Sequence, residues 1–332
     1  MKTAHIALVL LLALVVPAAA QTPDLGCTSM PSFLQPLFSG VSTSTVTFSC
    51  PQPNRPPAVS TAHVIRVDLA TRGLAFETSG APAGTSARAG EPAIFDQEIP
   101  TSFLHRTRSQ VAFNANLFTN CCCYDVARKT HLIGLEISGG RMLSPVMAKP
   151  PPLDRTNCGL TPAAGYPFDH SLLVIGNALR IEGFADVQVI PHADAAVTGS
   201  HVLVAGGRNV APQQSDSSGF FNPTARTLVG LGPDNGVLWI AAVDAASTSQ
   251  GVTLPQGAQL MMQLGAVSAI NFDGGGSTSL AIEGSDGMPR LLNVPKDGAS
   301  SCTFPTGATE HCERYVGTSF AIHAPPLSPS AR

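Results

Sequence analysis

Ala269-Ile270-Asn271-Phe272-Asp273-Gly274-Gly275-Gly276-Ser277-Thr278-Ser279 is the most telling stretch of the chain. A short apolar run delivers one acid, Asp273, to three consecutive glycines, and three hydroxyl side chains follow at once. Glycine gives up backbone entropy and packing, so three in a row suit a place where the chain needs a positive φ or where something must approach the backbone. Residues 269–272 read as a strand, and residues 278–282 alternate like a second one. The glycines are therefore expected to join two strands. That argues against a dinucleotide loop or a P-loop, both of which run from the glycines into a helix. A tight turn with a polar tip is the plain alternative to a site, because glycine runs are above all punctuation.

Upstream, residues 253–264 hold the best helix candidate, with Leu260, Met261 and Leu264 on one face. Before it, residues 226–232 lead through Pro233-Asp234-Asn235-Gly236 into residues 237–244, which together predict a hairpin. Strand-like runs recur at residues 63–69, 111–118, 132–137, 172–182 and 201–204. With 31 Gly, 28 Pro and no long amphipathic periodicity, the chain reads as an α+β protein. Its expected core is a mixed, mostly antiparallel sheet with few helices, loop-rich and disulfide-bearing.

Residues 1–20 read as a signal peptide: Lys2, an apolar run at residues 6–16, then Pro17 and Ala18-Ala19-Ala20 before Gln21. Residues 21–60 read as an irregular Pro- and Ser-rich leader, residues 61–324 as the globular domain and residues 325–332 as a tail. No later run reaches the roughly 20 apolar residues of a spanning helix. A secreted or periplasmic protein without stable membrane insertion is expected. Eight cysteines, at positions 27, 50, 121, 122, 123, 158, 302 and 312, fit disulfides in an exported chain. Proximity suggests Cys27 with Cys50, Cys302 with Cys312, and one of Cys121, Cys122 and Cys123 with Cys158.

A net charge of -3 and a charged fraction of 12% leave no basic footprint for nucleic acid or an anionic membrane, so both are set aside as partners. The cysteines lack paired C-x-x-C spacing, and the nine histidines are scattered, with Asp169-His170 and His192-Ala193-Asp194 as the close pairings. Neither a metal nor another cofactor is called for. One Trp and three Tyr give little aromatic face for a long polysaccharide cleft, so a small polar pocket is expected, with Trp239 in the core between Leu238 and Ile240.

Asn271-Phe272-Asp273-Gly274-Gly275-Gly276-Ser277-Thr278, preceded by a helix and an Ala-Ile strand, resembles the signature of the phosphodiester glycosidase family. Three other segments fit in order: Phe113-Asn114-Ala115-Asn116-Leu117-Phe118 looks like an N-x-x-F turn, Ala225-Arg226-Thr227-Leu228-Val229-Gly230 like a P-R-T-A-x-G strand, and Glu313-Arg314-Tyr315-Val316 like a terminal E-R segment. The resemblance departs at Ala225, where the family has Pro, and at Val243-Asp244-Ala245-Ala246, where V-D-G-R is frequent. It implies a reaction class, the splitting of a sugar from a phosphodiester at the anomeric carbon, with a small carbohydrate phosphodiester or glycan cap as partner.

The residue types suit that class. Phosphate is a far better leaving group than a sugar alkoxide, so a cation that steadies the departing charge matters more than a proton donor. Arg presents a planar fork to two phosphate oxygens, which makes Arg226 the first choice and Arg314 the second. Asp273 could attack the anomeric carbon, activate water or hold a sugar hydroxyl. For a second carboxylate the candidates are Asp244, which would lie beside Asp273 if their strands pair, and Glu283. Asn114 and Asn116 can bond sugar hydroxyls or simply form a turn. Gly274, Gly275 and Gly276 would let the substrate lie against the backbone, with Ser277 and Thr278 beside it. A metal-dependent phosphodiesterase cleaving the P–O bond and a non-catalytic sugar-binding module of the cell envelope are the rival readings. A serine nucleophile does not fit, because Gly275-Gly276-Ser277-Thr278-Ser279 lacks the final glycine of a nucleophile elbow and leads into a strand.

Overall fold

The computed structural model describes residues 24–31, 33–52, 54–80, 93–119, 129–146, 168, 170–184, 192–213, 221–246, 248–296 and 313–327. The signal-peptide segment, Cys121, Cys122, Cys123, Cys158, Cys302 and Cys312 lie outside them. Among the described residues the strands form a nine-stranded sheet, two five-stranded sheets and a two-stranded ladder. Their pairings are antiparallel. In the large sheet the order runs Thr28–Pro31, Val41–Gln52, Arg55–Asp68, Val237–Val243, Arg226–Leu231, Ser268–Gly274, His201–Ala205, Arg208–Asn209, with Gln35–Phe38 beside Val41–Gln52. A second sheet gathers Arg141–Ser144, Glu136–Ser138, Ala195–Thr198, His170–Ile175 and Ala178–Gly183. The third is Pro289–Leu291, Leu280–Glu283, Val111–Asn114, Ser319–His323 and Ala75–Thr78.

The predicted hairpin is present, Arg226 facing Val243 and Leu231 facing Leu238. Its turn puts Asp234 and Asn235 at φ 53°, a left-handed conformation that these two residue types tolerate better than other side chains. Alternate residues of these strands divide between two cores. Val229, Leu231, Ile240, Ile270 and Phe272 join Phe113, Leu172, Val197 and Phe320 between the three sheets. Leu228, Ala241 and Ala269 face the other way, onto the helix.

That helix, α2 (Leu254–Leu264), starts where the sequence predicts: Thr253 accepts from Gln256 N, Thr253 N donates back to the Gln256 side chain at 2.9 Å, and Gly265 ends it at φ 101°. Leu260 and Met261 are fully buried and Leu264 packs at the edge. Trp239, expected in the core, is only half-buried, because its strand turns it to the rim, where the Arg66 guanidinium lies 5.9 Å over the ring.

The reading of residues 21–60 as an irregular leader is corrected. Val41–Gln52 and Arg55–Asp68 pair from Val41 opposite Val67 to Gln52 opposite Arg55 and form the flank of the large sheet. Val46, Phe48 and Cys50 are buried at strict alternation, a signal that the surrounding prolines conceal. The Cys27–Cys50 disulfide ties the outermost strand to this hairpin, as proximity suggested.

A second helix, α1 (Pro100–Thr107), has no sequence counterpart. Its N-cap is Ile99, which has no side-chain acceptor, and its first turn carries no acid. The cap comes from the far end of the chain: Thr101 N donates to Glu313 Oε1 at 3.2 Å and the Thr101 hydroxyl donates to Oε2. A carboxylate suits the orphan N–H groups of a helix start. Burial opposes its charge, however, and pushes the Glu313 pKa up to about 7.

Two predictions follow from these links. The disulfide closes a sequence separation of 23 residues, so replacing both Cys27 and Cys50 by Ser should cost about 3 kcal/mol in a urea titration. A carboxyl whose folded pKa is raised favours folding while protonated, so Glu313's share of stability is complete below its ordinary 4.5 and is lost as the pH rises through about 7. Glu313→Gln should remove up to about 3 kcal/mol of the stability change across that window. An unchanged pH slope would show that Glu313 is not held this way.

Candidate active site

Asp273 sits at the end of Ser268–Gly274, and Gly275–Ser277 forms a single 3-10 turn before Leu280–Glu283 begins. The glycines join two strands, as the sequence predicts, but the strands belong to different sheets, so the turn crosses from one sheet to the next. Two of the glycines are required by geometry. A Cβ on Gly274 would come within 2.8 Å of Ala225 O, and Gly275 has φ 63° while its N–H donates to that same carbonyl at 2.8 Å.

The turn folds the hydroxyls back on the acid. The Asp273 carboxylate accepts from Gly274 N at 2.9 Å and from Ser277, and feels the positive charge of Arg314. Burial outweighs these contacts and pushes the Asp273 pKa up to about 6. Arg314 Nη1 lies 3.5 Å from Ser277 Oγ, which makes Arg314 the guanidinium on the acid's side of the turn. Thr278 Oγ1, Ser279 Oγ and Ser319 Oγ are buried hydroxyls without a hydrogen-bond partner among the described residues.

Arg226 is placed differently. Its backbone lies opposite Gly274, yet its side chain shares a face with Leu228 and the α2 cluster. Nε donates to Val252 O at 2.7 Å, Nη2 to Asn222 O at 3.2 Å and Nη1 to Asn271 Oδ1 at 3.4 Å. Burial pulls its pKa down to about 9. Asn271 in turn donates to Ser200 Oγ at 2.9 Å, and Ser200 is 3.1 Å from His201 Nδ1, so Arg226 heads a buried polar chain behind the turn.

The two asparagines are internal fasteners. Asn114 Nδ2 donates to Asp273 O at 2.8 Å, while its Oδ1 accepts from Thr227 Oγ1 at 2.6 Å and Ser279 N at 3.1 Å. Asn116 Nδ2 donates to Ile133 O and Leu135 O, and its Oδ1 accepts from Thr198 N at 3.0 Å. Their exposures of 0% and 1% leave no face for a sugar hydroxyl, which corrects their assignment as direct sugar ligands.

Asp244 does not lie beside Asp273. The strand Arg226–Leu231 runs between Val237–Val243 and Ser268–Gly274, so the pairing that would join the two acids is absent. Asp244 is instead 3.0 Å from His63 Nε2 and accepts from Val294 N at 2.9 Å. Glu283 closes the far end of its strand and accepts from Gln110 Nε2 at 3.0 Å.

Three groups were not singled out from the sequence. Glu313, next to Arg314, has been described with α1. Glu136 is fully buried between sheets, faces the Thr78 and Thr318 hydroxyls, and has its pKa raised by burial. Lys296 donates to Thr224 Oγ1 at 3.1 Å, and that oxygen is 4.0 Å from where a Gly275 Cβ would stand, so an exposed cation rims the turn. A lone lysine or glutamate in a short apolar run carries no signal of such placement. Among the described residues no group of three or more His, Cys, Asp and Glu side chains is placed to hold a metal ion, and no helix is long and apolar enough to cross a membrane. Asp169 lies outside the described residues.

The N-acetylglucosamine-1-phosphodiester alpha-N-acetylglucosaminidase of Bos taurus is 24% identical over 206 residues, which cover 59% of this chain and 35% of the bovine protein. This chain thus spans about a third of that relative's length. Among solved structures, the zebrafish N-acetylglucosamine-1-phosphodiester alpha-N-acetylglucosaminidase catalytic domain, auto-inhibited by its pro-peptide, superposes with a TM-score of 0.60 at 17% identity, covering 90% of this chain and 88% of that one. A putative exported protein of Burkholderia pseudomallei superposes at 0.53 with 13% identity, covering 92% and 98%. These likenesses establish a shared fold. The stretch that holds the hairpin, α2, the glycine turn and Arg314, residues 171–323, matches the model of the phosphodiester glycosidase family.

Proposed function

We propose that this protein is an exported glycosidase that hydrolyses a sugar-1-phosphodiester by cleaving the anomeric C–O bond, with phosphate as leaving group. One observation carries the proposal: a partly buried aspartate is set on a glycine turn with Ser277 and the Arg314 guanidinium beside it. The match of residues 171–323 to the family and the likeness to the bovine protein support it. Export is supported by the apolar N-terminal segment and by the Cys27–Cys50 disulfide.

In this mechanism the substrate's phosphate faces Arg314, whose fork spreads the charge that departs with the leaving group. Asp273 acts on the anomeric side, as the ionised carboxylate that attacks the carbon or activates water. Arg226 supports the turn from behind. The substrate is a small carbohydrate phosphodiester, or the terminal cap of a glycan.

Burial raises the Asp273 pKa to about 6, so the reactive carboxylate forms as the pH rises through that value. The kcat/KM for a sugar-1-phosphodiester should therefore climb between about pH 5 and 7 and level off above it. Asp273→Asn should fold, keep substrate affinity and lower kcat by about 10²–10⁴-fold. A fully active Asp273→Asn enzyme would remove Asp273 from the chemistry, and a wild type that binds such substrates without turnover would make the protein a binding module. Reaction in oxygen-18 water checks the bond cleaved: label is expected in the released sugar, and label in the phosphate would mean P–O cleavage.

A further inference from the structure

Arg314 lies on a segment whose hold on the fold is unusual. It belongs to no strand, yet it is fastened on both sides to the residues that lead into α1. On one side, Glu313 receives Thr101 N at 3.2 Å and the Thr101 hydroxyl. On the other, Val316 and Glu98 exchange a pair of backbone hydrogen bonds, 3.1 Å each way. Residues 98 and 101 thus grip residues 313 and 316, and Arg314 is held between the two grips. Glu98 is itself pinned, accepting from Arg106 Nε at 3.0 Å and Nη2 at 2.7 Å from the last turn of the same helix.

Rigidity here has a chemical use. The Asp273 carboxylate is faced by Gly274 N, Ser277 and Arg314, and Arg314 is the charged group among them. A long side chain on an untethered loop would wander, and the field it exerts on Asp273 would average down. The glutamate thus reaches α1 while its neighbour, the arginine, reaches the turn.

We infer that Glu313 and Thr101 are positioning residues: by capping α1 they hold the Arg314 guanidinium against Ser277 and Asp273, so that a helix start on the third sheet sets the charge environment of the site. This rests on the proposed role of Asp273, but its direct test does not. The titration midpoint of the Asp273 carboxyl is measured by carbon-13 NMR on the unliganded protein, in wild type, Arg314→Gln, Glu313→Ala and the double variant. Arg314→Gln should raise the midpoint by about one unit. Glu313→Ala should raise it by a similar amount, and the double variant should rise no further than Arg314→Gln alone. Glu313→Gln, which keeps an oxygen for Thr101 N, should recover most of the effect, and kcat/KM should fall by about 10–100-fold in Glu313→Ala.

If Glu313→Ala does not fold, Thr101→Ala replaces it, since alanine suits a helix and removes only the hydroxyl. A midpoint left at its wild-type value in Glu313→Ala or Thr101→Ala, while Arg314→Gln raises it, overturns the inference and leaves Glu313 a cap. An NMR shift as expected, in a protein whose sugar release ignores Asp273, would instead sink the proposed function and keep the bracket.

Discussion

Two sheets meet at one buried side chain, the carboxamide of Asn114. It donates to the backbone of the strand carrying Asp273 and accepts from Thr227 on the neighbouring strand and from Ser279 beyond the glycine turn. Asn114 is fully buried, and leaving one of its polar groups unpaired there costs about 1–3 kcal/mol. The geometry of the turn is therefore fixed from below before any ligand arrives. Asn116 repeats the device for the second sheet, bonding Ile133, Leu135 and Thr198.

On that base the site balances burial against charge. Glu313 is buried and Asp273 partly so, and each carboxyl is pushed toward neutral pH by its loss of water. What keeps Asp273 ionisable is local: the Gly274 N–H, the Ser277 hydroxyl and the Arg314 charge. The glycines make this compact. Only without a Cβ can residue 274 pass so close to Ala225 O, and that contact lets residue 277 fold back over the acid.

What the sequence revealed depended on the reach of each signal. The hairpin at 226–243 and the helix α2 were legible because their cues are local: an Asp-Asn-Gly turn, and Thr253 with Gln256 three residues on. The glycine turn was legible as strand, turn and strand, but not as a crossing between sheets, because sheet membership is decided by partners far along the chain. The same blindness left open whether the strands of Asp244 and Asp273 pair, and a strand separates them. Helix α1 escaped notice since its cap is Glu313, more than 200 residues away. In residues 41–60 the prolines drowned an alternation that is plain once Val46, Phe48 and Cys50 are seen buried. The asparagines illustrate a different limit, because a residue type suited to sugar hydroxyls is equally suited to backbone amides.

The third sheet has Ser319–His323 between Val111–Asn114 and Ala75–Thr78. In that sheet, the strand near residue 75 pairs with nothing until residues past 319 have been made. During synthesis the growing chain therefore carries Asp273 and its glycine turn without Arg314, without the α1 cap and without one interior strand of the third sheet. Long-range pairing of this kind makes folding slow. The site is therefore complete only once the segment from residue 313 onward has joined the third sheet.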